Sequence, residues 1–102
     1  MIRALFEKEN NLFTSFKVSG HAGAGVYGQD VCCACVSSAV QTVCNAVTDI
    51  FKIKAKVNVG ENEISLSSSE QAASKLIEAL YLQLTLIKEE FPKNIQIELS
   101  EV

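Results

Sequence analysis

The chain has 102 residues, of which 48% are hydrophobic and 21% charged, with five glycines and one proline. That is one domain's worth of sequence, residues 1-102, which excludes a two-domain enzyme with a separate cofactor module as well as disordered and fibrous chains. Nine basic against twelve acidic residues give a net charge of −3, and no Lys/Arg stretch is dense enough for the electrostatic footprint of a nucleic-acid binder, so no direct nucleic-acid contact is expected.

In chain order, Ile2, Ala4 and Phe6 alternate with Arg3 and Glu7, the period-two pattern of a half-buried strand. Leu12, Thr14, Phe16 and Val18 repeat it against Ser15, Lys17 and Ser19, and Asn10-Asn11 between the two runs reads as a hairpin turn, because Asn tolerates positive φ. After a glycine-rich stretch, residues 31 to about 51 place Val36, Ala39, Val40, Val43, Val47 and Ile50 at helical spacing, opposed by Ser38, Gln41, Asn45 and Asp49. A second hairpin follows, with Ile53, Ala55, Val57 and Val59 leading through Gly60-Glu61-Asn62 into Ile64 and Leu66. Ser67 and Glu70 have capping-box spacing at the start of a second helix running to about Phe91, whose stripe is Ala73, Leu76, Ile77, Leu80, Leu84, Ile87 and Phe91. Pro92 ends it, and Ile95, Ile97 and Leu99 supply the last strand.

The order ββαββαβ is best satisfied by an α+β two-layer sandwich, one mainly antiparallel sheet with two helices on one face. Periodicity does not set the strand order. Ala79, Leu82 and Leu86 lie on the far side of the second helix, where a monomer normally carries charge. One reading is a homodimer interface; the other is a solvated face, interrupted by Lys75, Glu78 and Glu89.

The start, Met1 to Glu9, has too few residues before its first acid for a signal-peptide core, and no run of about 18 consecutive apolar residues occurs. No membrane association and a cytoplasmic location are expected. Cys32, Cys33 and Cys35 crowd into four positions, unlike an extracellular disulfide framework. Metal, redox and nucleophile chemistries remain open.

The unusual segment is Ser19-Gly20-His21-Ala22-Gly23-Ala24-Gly25-Val26-Tyr27-Gly28-Gln29-Asp30, with four glycines in nine positions and the single histidine at its entrance. Loops of this length are commonly functional. Its glycines free the backbone to move or to approach another chain closely. Asp30 is a suitable N-cap, which would put Cys33 in the first helical turn, where the dipole favours a thiolate and N–H groups could steady an oxyanion. Ser37, four residues on, falls on the same flank as Cys33.

A cysteine nucleophile needs a proton acceptor, and His21 is the sole imidazole. The bland alternatives stand beside this. Helical cysteines are commonly buried small hydrophobes, the reading taken for Cys32, Cys35 and Cys44, and a lone histidine at a strand end is commonly a surface residue. Cys32 and Cys35 also have redox or zinc spacing. However, consecutive helical positions splay their side chains, and a thioredoxin-type site needs a facing proline that Pro92 does not supply.

Gly20-His21-Ala22, Tyr27-Gly28, Asp30-Val31-Cys32-Cys33-Ala34 and Ser37 together resemble the signature of the ribosomal-processing cysteine protease family. The resemblance runs over nearly the whole chain and departs from the usual pattern at Cys32 and Cys35. It implies His21 as general base, Cys33 as nucleophile, Asp30 and Ser37 as supporting residues, Ala22, Gly23, Gly25, Tyr27 and Gly28 as the loop that closes over the substrate, no cofactor or metal, and a homodimer. It further implies a substrate, the N-terminal extension of a large-subunit ribosomal protein, cut beside an apolar and aromatic stretch that an apolar groove near Cys33 would receive. The alternatives are a non-catalytic ribosome-assembly binding module and a zinc or redox Cys-x-x-Cys protein.

Overall fold

The structure, a computed structural model, describes residues 1–20 and 27–102, with residues 27–30 as backbone only. Its elements are β1 (Ile2–Glu9), β2 (Leu12–Ser19), α1 (Tyr27–Asn45), β3 (Lys56–Val59), β4 (Glu63–Ser67), α2 (Gln71–Glu90) and β5 (Ile95–Glu101). This is the expected ββαββαβ order. The five strands form one mixed sheet, ordered β3-β4-β2-β1-β5. All neighbours pair antiparallel except β1 and β5, which run parallel with Ile2 opposite Ile95 and Phe6 opposite Leu99. Both helices are crossovers. α1 leads from β2 past β4 to β3, and α2 leads from β4 past β2 and β1 to β5, so the two are packed together over one face.

The core explains why these segments fold as they do. Ile2, Ala4 and Phe6 of β1, Phe16 and Val18 of β2 and Leu66 of β4 meet the stripes Cys32, Val36, Val40, Val43 and Val47 and Ile77, Leu80, Leu84 and Ile87. Val31–Ile50 is long and apolar enough by composition to cross a bilayer, yet one flank of that segment is committed to this core. Phe6 anchors an aromatic cluster with Phe13, Phe16 and Tyr81, edge-on to Phe13 and Tyr81.

Asn10 and Asn11 both have positive φ, 53° and 66°, as a tight hairpin turn requires. Simple alternation, however, misassigns the first half of β2. The register slips between Glu7 and Lys8, so that Glu7 faces Ser15 while Lys8 faces Phe13. This bulge turns Phe13 inward, to 7% exposure, in place of Leu12 and Thr14. The Phe13 N–H then donates to Oγ of the buried Ser74 on α2, at 2.8 Å.

Other boundaries also differ from the sequence reading. β3 begins at Lys56, because the chain after α1 first winds through a π-helical turn, Ala46–Ile50, and folds back with Ile53 N–H donating to Val47 O at 2.7 Å. That leaves Ile50, assigned to the apolar stripe, 71% exposed. Ser67 belongs to β4 and does not cap α2. Its neighbour Ser68 accepts from the Glu70 N–H at 3.1 Å and donates to Lys54 O at 2.7 Å.

Candidate active site

α1 begins at Tyr27, ahead of the expected start. Asp30 is therefore inside the helix and is not its N-cap, and Tyr27 and Gly28, assigned to the loop, are helical. Gln29, an ordinary helix former, and the single glycine Gly28 give the backbone no reason to stop before Asp30. Cys33 accordingly sits in the second turn, where its N–H points back along the helix toward the carbonyl of residue 29. The first-turn dipole and the free N–H groups invoked for Cys33 do not apply there. His21, Ala22, Gly23 and Gly25 lie outside the described residues.

The 100° step of the helix separates the cysteines as expected, with one correction. Cys32 has no exposure and packs in the core, Cys44 is buried, and Cys33 is half-buried at the core's edge. Cys35, read as buried, is exposed, because it falls on the flank turned away from the sheet. All four are thiols. Burial pushes the Cys32 thiol above its ordinary value, and neighbouring Cys33 and Cys35 add to the effect; burial alone does the same for Cys44. Both stay protonated at neutral pH and are buried, which removes them as nucleophiles. Among the described residues, no three His, Cys, Asp or Glu side chains converge as a metal site.

Cys33 opens onto a groove of about 190 Å³. Ile2, Val18, Val36, Val40 and Ile64 give it an apolar floor, and Ser37, Gln41, Gly20 and the β3–β4 turn from Gly60 to Asn62 form its rim. Cys33 and Ser37 thus share one wall, as their four-residue spacing requires. The facing wall was not identified from sequence. Gly60-Glu61-Asn62 is recognisable as a turn, but its approach to the end of β2 depends on β4 lying beside β2, which periodicity does not reveal.

A half-buried thiol at the edge of an apolar trough is suited to covalent attack on a bound peptide, with the trough holding side chains next to the reacting carbonyl. Comparison with known proteins gives the family. Residues 1–96 match the family described as Cysteine protease Prp. The ribosomal processing cysteine protease Prp of Bacillus subtilis is 27% identical over 107 residues, covering 95% of this chain and 96% of that protein. The one from Staphylococcus aureus is 26% identical over 89 residues, covering 82% and 84%. In fold, the chain resembles a Streptococcus mutans protein at a TM-score of 0.89 (24% identity, 100% and 99% coverage). It also resembles the S. aureus ribosomal processing protease Prp, solved with a substrate peptide, at 0.87 (22% identity, 97% and 99% coverage). The chain belongs to the cysteine protease Prp family, and its enzymatic class is that of a cysteine protease.

Proposed function

We propose that this single-domain enzyme, residues 1–102, removes the N-terminal extension of a large-subunit ribosomal protein, with Cys33 as nucleophile and His21 as general base. The observation that carries the reading is Cys33 itself, the one cysteine on the wall of the apolar groove. Apolar and aromatic side chains of the extension lie on Ile2, Val18, Val36, Val40 and Ile64. Cys33 Sγ attacks the scissile carbonyl carbon while His21 takes the thiol proton. His21 then protonates the departing amine as the C–N bond breaks, and water, deprotonated by the same imidazole, hydrolyses the thioester. The Ser37 hydroxyl, on the wall beside Cys33, is a donor for the substrate carbonyl oxygen. Asp30, one helical turn before Cys33, is a supporting residue, and Ala22, Gly23, Gly25, Tyr27 and Gly28 are the substrate-contacting residues.

Neither cofactor nor metal enters these steps. The enzyme works in the cytoplasm, where ribosomes are assembled, on a protein substrate and not on nucleic acid or membrane. Its four thiols suit a reducing compartment. Leu82 and Leu86, 60% and 49% exposed beside Ala79, support a homodimer through α2.

The test is to incubate the protein with the precursor ribosomal protein of the same cell and weigh the products by mass spectrometry. The parent protein and Cys32→Ala are expected to release the extension, whereas Cys33→Ala binds the precursor and leaves it whole. Loss of cleavage in Cys32→Ala with retention in Cys33→Ala would overturn the assignment. Binding without cleavage by the parent protein would point to a non-catalytic assembly factor.

A further inference from the structure

The residue before His21 is held from both sides. Gly20 extends β2 by one position, between the start of β1 and the β3–β4 turn. On one side its N–H donates to Asn62 O at 3.2 Å. On the other it lies against the backbone of Met1 and Ile2, so closely that a Cβ built on Gly20 would run into the Met1 carbonyl, which is main chain and has no side-chain freedom with which to yield. Its φ is +85°, in the region that side-chain-bearing residues rarely adopt. The same residue forms part of the groove rim with Cys33 and Ser37.

We infer that Gly20 is a positioning residue for the proteolytic reaction: pinned between Met1 and Asn62 on the groove rim it shares with Cys33, it holds the chain position to which His21 is bonded. The inference rests on His21 being the general base. The positive φ and the closed contact both lie at Gly20, one residue past the end of β2. The β3–β4 turn therefore has two roles: it walls the groove and, through Asn62 O, holds the base of the catalytic segment.

Two variants test this in the full-length protein. Gly20→Ala adds the obstructing Cβ. A single glycine inserted between Gly20 and His21 keeps Gly20 itself but moves the histidine one residue further along the chain. On a peptide spanning the processed terminus of the precursor, both are expected to lose about 100-fold in kcat, the cost of misplacing a reacting group by around an ångström, with KM retained. The lone histidine gives one imidazole resonance in proton NMR. It should move when Cys33→Ser is made in the parent background and stay still when the same change is made in either variant. If both folded variants keep the parent kcat, or keep the response of the imidazole to Cys33→Ser, Gly20 does not position the base. Should Gly20→Ala fail to fold, the insertion decides alone. If the imidazole ignores Cys33→Ser in the parent protein, the failure lies with the Cys33–His21 pairing itself, and the two results are distinguishable.

Discussion

Ser74 is the one buried polar residue among those described, and its hydroxyl receives the Phe13 N–H that the β-bulge detaches from the β1 ladder. Replacing it with Ala leaves a buried amide without an acceptor, and stability is expected to fall by about 1–3 kcal/mol in urea titration, with kcat per folded molecule unchanged. The cysteines divide by the same reasoning. Cys32 and Cys44 keep their protons in the folded state above the ordinary thiol value of 9.0, so the unfolded chain ionises first. Their contribution to stability is full below that value and declines as pH rises through it and beyond, since protons then leave the unfolded state while the folded one retains them. Urea midpoints measured from pH 7 to pH 10 should fall at the alkaline end, and Cys32→Ala with Cys44→Ala should flatten that decline. At neutral pH, iodoacetamide should modify Cys33 and Cys35 in the native protein and reach Cys32 and Cys44 only after unfolding.

At the level of elements, the helical stripes and the Asn10-Asn11 turn are legible because each is written by local periodicity or by a residue type suited to positive φ. The bulge in β2 is not, since Leu12-Phe13-Thr14 alternates acceptably in either phase, and only the packing of Phe13 on Phe6 and Tyr81 selects one. Cap positions fail similarly. Ser67 has the spacing of a capping box, but pairing with Ser15 and Lys56 draws it into the sheet, leaving Glu70 as an N-cap with no side-chain hydrogen bond. Glu70→Asp shortens the side chain to the length that reaches the N2 or N3 amide. It should raise stability by up to about 1 kcal/mol, read as a higher thermal midpoint with unaltered activity. The site shows the same division. Cys33 and Ser37 share a flank by helical arithmetic alone, whereas the opposite wall, Gly60 to Asn62, reaches them only through strand order.

On the scale of the whole molecule, the two crossovers place both helices over one sheet face and leave the outer side of α2 facing solvent. Lys75 and Glu78 lie 3.7 Å apart as an exposed ion pair and offset each other, whereas Glu89, the third residue that interrupts that side, adds a negative charge to it. Burying two leucines contributes about 1.5–3 kcal/mol each, too little alone to hold two copies together against the entropy of association. A stable pair needs about 800 Å² from each partner, out of 6301 Å² exposed on this chain. A homodimer through α2 therefore requires, beyond Ala79, Leu82 and Leu86, the polar residues beside them. Sedimentation equilibrium of the parent protein is expected to give twice the 11.1 kDa chain mass. Leu82→Glu with Leu86→Glu should return it to the single-chain value at unchanged helix content, because neither side chain contributes to the core. A parent protein that remains at the single-chain mass across the micromolar range, or a dimer indifferent to both charges, would remove α2 as the contact surface.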